Sequence, residues 1–430
     1  MNRSNFLSAI VAALCMFPAN GLAAEPQSFE PSALQADLHF AIDTIERQHP
    51  RLEHSVSRKR LQTAVASIRT QLSHRMSQGE AWAVMAQLNP LLADGHLFIS
   101  LPNWRAQTTD DVRQGVGFFP FEVELDGRGY PVVTAKLGGA ATPFAGRRIT
   151  WINGQDAHGI GRTLLARMHG DTPAFRAALL SQRWWLGFAQ LYGRPSFYDL
   201  RFAGSQTPHR IMAEHVLPAI LQQEQSFERL FSCDIKADHT AKLTIASFAW
   251  QDKSQFFQFT HDCFARIKAT SAQQLIIDVS ANSGGDDDMW KEGILHYIAT
   301  KPYKQGSTYV KRERDGSLST GEIATATDPA LNEPLHFNGK VEVLIGPLTY
   351  SSAVLFSNVV RDYGLGTLTG IGNAARTEQS GGVQSVTLPN TGLLLFYPRF
   401  VLAPPSRGTA PRYLRAAVGN NPDRGASTGS

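Results

Sequence analysis

The chain has 430 residues, 43% of them hydrophobic, and a net charge of +4, which is enough apolar sequence for two or three domains with real cores. The small net charge, with no block of lysines and arginines, gives no indication of nucleic-acid binding. Neither a Walker A lysine loop, nor G-x-G-x-x-G, nor H-E-x-x-H occurs. Nucleotide-binding and zinc-hydrolase functions therefore have no support, and no metal or cofactor is expected.

The first 24 residues predict a secretory signal peptide. Arg3 supplies the basic start, Phe6–Phe17 the apolar core, and Gly21–Ala24 a cleavage site of small residues. That core is too short to span a bilayer, and no later apolar run is long enough. We therefore expect an exported protein, periplasmic or extracellular, without an integral membrane segment after signal removal; Cys15 is lost with the signal.

Two cysteines remain in the expected mature chain, Cys233 and Cys263. An even pair in an oxidising compartment is typical of a single disulfide. Two buried free thiols are the alternative at this stage.

Residues 25–102 predict a helical segment. Ser32 with Gln35, and Ser77 with Glu80, have the spacing of capping boxes. Apolar residues at helical spacing mark three helix faces: Leu34, Leu38, Ile42 and Ile45; Leu61, Val65, Ile68 and Leu72; Trp82, Met85 and Leu88.

This segment ends in Asp94-Gly95-His96, followed by a strand-like stretch to Leu101. A lone histidine at the start of a strand is more often structural than functional. Gly95 allows close approach of the backbone, which keeps a functional role for His96 open.

Residues 103–216 predict a β-rich domain of short strands joined by tight turns, with one or two helices. Within it, Arg113–Phe118 resembles the carboxylate-binding loop of PDZ domains, in which successive N–H groups hold a peptide end while the peptide adds as a strand. On this resemblance Gly115, Gly117 and Phe118 are expected to bind substrate.

Residues 217–430 predict an α/β region. A buried strand, 274–279, ends at Asp278 and is followed by Ser280–Gly285. Gly284 and Gly285 allow backbone amides to turn toward an anion. An ordinary turn between strand and helix is the alternative interpretation.

The stretch Val341–Gly364 has the pattern of a strand, a turn and a helix, with Ser351 and Ser352 where the helix begins and Gly364 where it ends. A serine at such a turn is well placed for nucleophilic attack, because N–H groups at the helix start can face a developing oxyanion. A serine that merely caps the helix would show the same pattern.

The order of these motifs resembles the C-terminal processing (tail-specific) serine peptidases and the related tricorn core. The motifs that carry the resemblance are Asp94-Gly95-His96, Asp278…Asn282…Gly284-Gly285, Thr349–Ser352 and Arg361–Gly364. The resemblance implies a mixed α/β fold. Its parts would be an N-terminal helical segment, a PDZ-like domain and a βαβ-type catalytic core of the tail-specific peptidase, crotonase-like kind.

The resemblance also implies that Ser351 is the nucleophile of a serine peptidase. Processing peptidases use a lysine downstream of the serine as base, but Arg376 stands at that place, and a guanidinium stays protonated. Tricorn-like members use a histidine before the PDZ-like domain, which His96 matches, and imidazole can accept the serine proton near neutrality. The implied oxyanion donors are the N–H groups of Ser352 and of Gly284 or Gly285.

Three positions depart from the family pattern. Ser280 replaces an arginine, Gly95 replaces the serine before the histidine, and no glutamate precedes Gly419–Asp423. The third catalytic group is thus unassigned by the resemblance. Glu378 is the nearest acidic candidate, with a surface-loop carboxylate as the alternative.

Two function classes follow. The first is an exported serine endopeptidase that cleaves peptides or unfolded proteins through a Ser–His acyl-enzyme mechanism. The second is an inactive relative that binds peptides in the same groove. Neither pattern nor resemblance indicates the oligomeric state.

Overall fold

The computed structural model describes residues 27–417. The predicted signal peptide and the Gly419–Asp423 motif lie outside this range. Within it, the fold is mixed α/β, as predicted, and no helix is both long enough and apolar enough to cross a membrane.

The N-terminal region packs helices around its own apolar core, which includes Leu34, Leu38 and Leu88. Its elements are β1 (Ser28–Phe29), α1 (Pro31–Gln48), α2 (Arg58–Gln71), β2 (Met76–Ser77), α3 (Gln78–Met85), α4 (Asn89–Leu92), β3 (Phe98–Ser100) and α5 (Trp104–Arg113), with short 3₁₀ turns at Leu52–His54 and Ala86–Leu88.

One of the two predicted capping boxes is present. Ser77 Oγ accepts from the Glu80 N–H at 3.3 Å, and Glu80 Oε2 accepts from the Ser77 N–H at 2.8 Å. The capping box expected at Ser32 is wrong, because the N-cap of α1 is Glu30, two residues earlier, and the helix begins at Pro31. Proline fits the first helical position, where its missing N–H costs no hydrogen bond.

The β-rich region has a second apolar core with Trp184, Trp185 and Tyr198 fully buried. It contains β4 (Phe121–Leu125), β5 (Pro131–Lys136), β6 (Ile149–Ile152), β7 (Gln155–Asp156), α6 (Ala157–Leu165), α7 (Pro173–Tyr192), β8 (Phe197–Phe202) and β9 (His209–Met212). β4 pairs with β5, and the other strands form a sheet in the order β7-β6-β8-β9.

Two N–H groups of the loop expected to hold a peptide are bonded to this chain's own backbone. The Phe118 N–H donates to the Glu214 carbonyl at 2.9 Å, and the Gly115 N–H donates to the preceding helix. A Cβ at Gly117 would lie 2.6 Å from the Cβ of Ala213. The N–H groups of Gly115 and Phe118 are thus bonded within the chain, while β4, the strand that follows the loop, pairs within residues 27–417 only with β5. Substrate binding by Gly115, Gly117 and Phe118 stays a prediction.

The α/β region is the largest and is built on a five-stranded sheet in the order β10-β11-β12-β15-β16. Its elements are α8 (Ala219–Glu224), α9 (Phe227–Leu230), β10 (Phe231–Ile235), β11 (Thr240–Ile245), α10 (Lys253–Ala269), β12 (Gln274–Asp278), α11 (Asp287–Trp290), a π-helical turn (Lys291–Leu295), α12 (His296–Ile298), β13 (Thr308–Arg312), β14 (Leu318–Glu322), β15 (Lys340–Ile345), α13 (Ser352–Asp362), β16 (Thr367–Gly370), β17 (Gln379–Gly381), β18 (Gln384–Thr387), β19 (Leu394–Tyr397) and β20 (Phe400–Leu402).

The strands β11, β12, β15 and β16 are parallel, so their carboxyl ends meet at one edge of the sheet. Asp278 pairs with Leu344 in register, which places the Ser280–Gly285 turn beside the turn that carries Ser351. Ligand sites of open parallel sheets lie at this edge.

The N-terminal region reaches the same edge through a strand pair. β3 pairs with β19 in antiparallel register, Ile99 opposite Leu395. Leu388, Leu393 and Leu395 are buried in the N-terminal core. This pairing fixes the segment that contains His96 against the carboxyl-terminal part of the α/β region.

Cys233 and Cys263 are joined by a disulfide with a Cα–Cα distance of 5.9 Å. Cys233 lies in β10 and Cys263 in α10, 30 positions apart in the sequence. The bond ties the antiparallel edge of the sheet to the helix that covers it.

Candidate active site

Ser351 occupies a strained turn between β15 and α13. Its φ and ψ are +53° and −127°, a region that non-glycine residues seldom adopt. It stands at the N-cap position, but its side chain makes no capping bond. Thr349 fixes the turn, since its Oγ1 donates to Val279 O at 2.8 Å and accepts from the Gly346 N–H at 2.9 Å. The turn therefore presents the Ser351 hydroxyl away from the helix.

The two adjacent serines have different partners. Ser351 Oγ lies 3.1 Å from His96 Nε2. Ser352 Oγ lies 2.7 Å from Gly285 O and 2.6 Å from Asp287 Oδ1, and the residue is buried. Of the two serines, only Ser351 thus has an imidazole within hydrogen-bond reach of its hydroxyl.

The second nitrogen of His96 faces a serine that the sequence analysis did not identify. His96 Nδ1 lies 2.9 Å from Ser380 Oγ, and Ser380 Oγ lies 2.8 Å from Asp94 Oδ1. The hydroxyl has one proton, which it donates to the carboxylate, so it must accept from His96 Nδ1–H. Nε2 is then left as the acceptor for the Ser351 proton, the tautomer that a general base requires.

Asp94 is fully buried and collects several donors. It accepts from the His96 N–H at 2.7 Å and from Ser55 Oγ at 3.3 Å, and His49 Nε2 lies 3.7 Å away. Burial alone would raise the pKa of Asp94, but the neighbouring His49 and His96 and these hydrogen bonds hold it below its usual range. Asp94 is therefore an anion at neutral pH.

The environment of His96 favours its neutral form. Burial lowers the pKa of His96, while the charge of Asp94 and the contact with Ser380 act in the opposite direction. The ring of Tyr350 packs against the imidazole at 5.0 Å between centroids. A base that is neutral at physiological pH can accept a proton.

A second buried network supports the backbone at the histidine. The Gly95 N–H donates to Tyr350 Oη at 2.9 Å, and Tyr350 Oη donates to Asp171 Oδ1 at 2.7 Å. A Cβ at Gly95 would lie 2.5 Å from the Tyr350 ring. The departure from the serine found in tricorn-like proteins has a physical reason here, because only glycine leaves room for this ring.

Arg376, which replaces the lysine of processing peptidases, belongs to this network. Its backbone N–H donates to Asp171 at 2.9 Å, and Nη1 donates to the Ala93 carbonyl at 2.8 Å. Burial and the Asp94 charge raise the pKa of Asp171 to about 6, against the lowering effect of Arg376. Arg376 is thus a buried structural cation.

Two backbone amides beside Ser351 fit an oxyanion hole. The N–H groups of Ser352 and Gly285 have no acceptor among residues 27–417, and Ser352 Oγ contacts Gly285 O. Gly284 is the less suitable of the two predicted glycines, because its N–H donates to Asn282 Oδ1 at 2.8 Å. Gly284 instead allows close packing, since a Cβ there would lie 2.5 Å from Ser351 Cβ.

Gln379 is a further residue that no sequence pattern indicated. Its Oε1 accepts from the Ser351 N–H at 3.1 Å, and its Nε2 donates to Arg376 O at 2.6 Å. The segment 376–380 therefore holds both the backbone of Ser351 and, through Ser380, the imidazole of His96.

The expectation that Glu378 is the third group is corrected. Its carboxylate pairs with Arg51 Nη2 at 2.5 Å and with His54 Nδ1 at 3.1 Å. The Nδ1 atom of His96 is satisfied by Ser380 instead. Glu378 is close to the site in sequence, but its side chain points toward Arg51 and His54 and not toward His96.

Comparison with known proteins identifies the α/β region. The model of peptidase family S41 matches residues 239–412. This region belongs to peptidase family S41. The matched residues include Ser351, Gly285 and Ser380, whereas Asp94 and His96 lie outside them. No curated protein matches the chain.

Solved structures of low sequence identity share the fold over most of the chain. A mutant of CPAF aligns with a TM-score of 0.63 and 14% identity, covering 86% of this chain and 89% of that one. Mature CPAF complexed with lactacystin aligns with a TM-score of 0.61 and 14% identity, covering 87% of this chain and 90% of that one.

The S41 match confirms the resemblance to the tail-specific peptidases that the sequence motifs predicted. The protein is a serine-type peptidase, and its substrates are peptides or proteins.

Proposed function

We propose that this S41 peptidase is an exported endopeptidase that cleaves peptide bonds through an acyl-enzyme on Ser351, with His96 as general base. The observation that carries the proposal is the continuous chain of short contacts from Ser351 through His96 and Ser380 to Asp94. Nucleophile, base and orienting groups at these distances have the arrangement of a hydrolytic serine site.

In the first step, Ser351 Oγ attacks the scissile carbonyl while its proton passes to His96 Nε2. The carbonyl oxygen becomes an oxyanion, which the N–H groups of Ser352 and Gly285 would stabilise. His96 then gives the proton to the leaving amine as the C–N bond breaks. Water attacks the ester by the same route in reverse, which releases the acid and restores Ser351.

Ser380 and Asp94 together fill the role of the third catalytic group, which orients His96. When His96 is protonated, its Nδ1–H still donates to Ser380 Oγ, which stays polarised by the buried carboxylate. The charge of Asp94 stabilises the imidazolium across this hydroxyl, because a buried charge is screened less than an exposed one. Neither residue touches substrate, so both are positioning residues.

A groove beside the oxyanion turn offers room for the substrate. It has a volume of about 1020 Å³ and is lined in part by Phe248, Trp250 and Gly285. Phe248 forms a single parallel bridge with the Gly284–Asp286 backbone. We infer that an extended peptide lies in this groove, since backbone groups and aromatic side chains suit an unfolded segment.

Export rests on the predicted signal peptide and agrees with the disulfide, because such bonds persist in oxidising compartments. Mass spectrometry of the protein recovered from the cell envelope or the medium tests this part. Cleavage after Ala24 is expected, and a chain that keeps Met1 inside the cytoplasm would contradict export.

The mechanism is tested by labelling with a fluorophosphonate probe. Wild type should label and cleave an unfolded protein substrate, whereas Ser351→Ala and His96→Ala should lose both reactions at an unchanged melting temperature. Ser352→Ala is the matched variant: it keeps its backbone N–H, so it should still label, at a reduced rate. Labelling of Ser351→Ala equal to wild type, or cleavage by His96→Ala at the wild-type rate, would contradict the assignment.

A further inference from the structure

An arginine-rich pocket lies on the other side of the segment that holds the catalytic groups. Its volume is about 470 Å³. We define the arginine pocket by its charged lining residues: Arg51, His54, Arg376, Glu378, Arg407 and Arg412.

The pocket has a surplus of positive charge. Arg51 pairs with Glu378, and Arg376 lies 3.5 Å from Asp171. Arg407 and Arg412 are exposed and form no salt bridge with any carboxylate of residues 27–417. Two guanidinium groups in one concavity without acidic partners repel each other unless an anion lies between them.

Two buried nitrogens of the lining also lack partners. The side chains of His54 and Arg376 are each 7% exposed. His54 Nε2 and Arg376 Nε have no hydrogen-bond partner within the described part of the chain. Buried polar groups without a partner are uncommon in folded proteins and indicate a missing ligand or water.

We propose that the arginine pocket binds a small oxyanion, a phosphate or carboxylate group. Guanidinium groups recognise both anions through paired N–H donors, and the volume exceeds that of a single anion. The site is separate from the proposed chemistry at Ser351 and does not depend on it.

The site would contact the catalytic segment directly. Arg376 and Glu378 line the pocket, while the next two residues, Gln379 and Ser380, hold the Ser351 N–H and His96. A bound anion would thus fix one side of a segment whose other side positions the nucleophile and the base.

Binding is tested with inorganic phosphate on the full chain, by calorimetry and by the melting temperature, against sodium chloride at equal ionic strength. A ligand that binds only the folded state raises the melting temperature. Arg407→Ala/Arg412→Ala should bind phosphate about tenfold or more weakly than wild type, because the variant loses two groups that can donate charge-assisted hydrogen bonds to the anion. Arg415→Ala removes an exposed arginine outside the pocket and should bind like wild type.

The source of the anion is distinguished with a second ligand, an acetylated tripeptide that has a free carboxylate, and its amide as control. This arm uses Ser351→Ala, so that hydrolysis cannot occur and a failure of the proposed function does not affect it. Phosphate binding alone assigns the site to free oxyanions; binding of the acid but not the amide assigns it to peptide carboxylates. Binding of neither ligand, or equal binding by Arg407→Ala/Arg412→Ala and wild type, would overturn the proposal.

Discussion

The tautomer of His96 is decided by a hydroxyl rather than by a carboxylate in direct contact. Ser380 has one proton to donate and Asp94 accepts it, so Ser380 can only accept from Nδ1. Ser380, between His96 and Asp94, thus orients the imidazole while it separates the Asp94 carboxylate from the charge that His96 carries when protonated. The carboxylate acts on the base at a distance, and its effect should be visible in a pH profile.

Replacing the Asp94 carboxylate should shift the pH at which activity is lost on acidification. Burial lowers the pKa of His96 below the usual value of about 6.5, and the Asp94 charge partly opposes this. Activity should therefore fall as pH drops through a midpoint below 6.5, where the imidazole becomes protonated. In Asp94→Asn the midpoint should move to lower pH, because the charge that favours imidazolium is gone, and the plateau should fall as well.

The measurement is the rate of fluorophosphonate labelling between pH 4.5 and 8. A purely structural role of Asp94 would lower the plateau without moving the midpoint. A midpoint that moves to higher pH would contradict the electrostatic interpretation.

The participation of Ser380 could not be predicted, because a serine in a short strand has no signature of its own. Its neighbours depend on the pairing of β17 with β20, in which Ser380 lies opposite Val401. His96 and Ser351, by contrast, stand in local motifs that the family resemblance identifies. The sequence thus indicates functional residues that stand in a recognisable local motif. It does not indicate a residue such as Ser380, which reaches the site through the pairing of strands that are distant in sequence.

At the scale of elements, the start and end of α13 agree with the pattern of strand, turn and helix. Gly364 has a φ of +61° just after the helix, as expected for the glycine that ends it. Ser351 stands at the N-cap position yet leaves the helix uncapped. A cap and a nucleophile share one sequence pattern, and only the position of His96 separates them.

Gly284 should tolerate no side chain, because it packs against the nucleophile turn. Its φ is +103°, and an added Cβ would lie 2.5 Å from Ser351 Cβ and 3.0 Å from Ser352 N. Gly139 is a matched control, with a φ of +93° and a nearest contact at 3.9 Å. Gly284→Ala should lose most labelling, while Gly139→Ala should keep it, since backbone strain is similar and only crowding differs. Equal labelling by the two variants would show that the turn can relax.

The disulfide between β10 and α10 should contribute measurably to stability. It closes a loop of 30 positions, for which the chain-entropy estimate is about 3–4 kcal/mol. Cys233→Ser/Cys263→Ser should unfold at a lower urea concentration than the oxidised wild type. Mass spectrometry without reduction verifies the bond, and two alkylatable thiols in native wild type would contradict it.

Over the whole molecule, the proposed catalytic pair joins two regions that lie far apart in sequence. His96 and Ser351 are separated by 255 positions, and the family match begins only at residue 239. Three kinds of contact hold the regions together: the β3–β19 pair, the bond of Tyr350 to Gly95, and the bond of Arg376 to Ala93. The proposed base, His96, thus comes from a region that the S41 family model does not match.

Arg376 should matter for this junction as a cation and not as a base. Its side chain is almost fully buried, donates to the Ala93 carbonyl at 2.8 Å and lies 3.5 Å from Asp171. In Arg376→Ala the Asp171 carboxylate would remain buried near Asp94 without its compensating charge. Breaking a buried pair in this way costs about 3 kcal/mol or more.

The stability lost in Arg376→Ala should depend on pH. The pKa of Asp171 is raised to about 6 in the folded protein from the usual 3.8, so its contribution to stability is present below 3.8 and is lost as pH rises through about 6. Without Arg376 the ionised form is even less favourable, and urea unfolding should show a larger destabilisation at pH 8 than at pH 5. The acid limb of labelling should persist, because His96 remains the base. Equal destabilisation at both pH values would assign the role of Arg376 to its bond with Ala93, since that bond carries no dependence on the Asp171 charge.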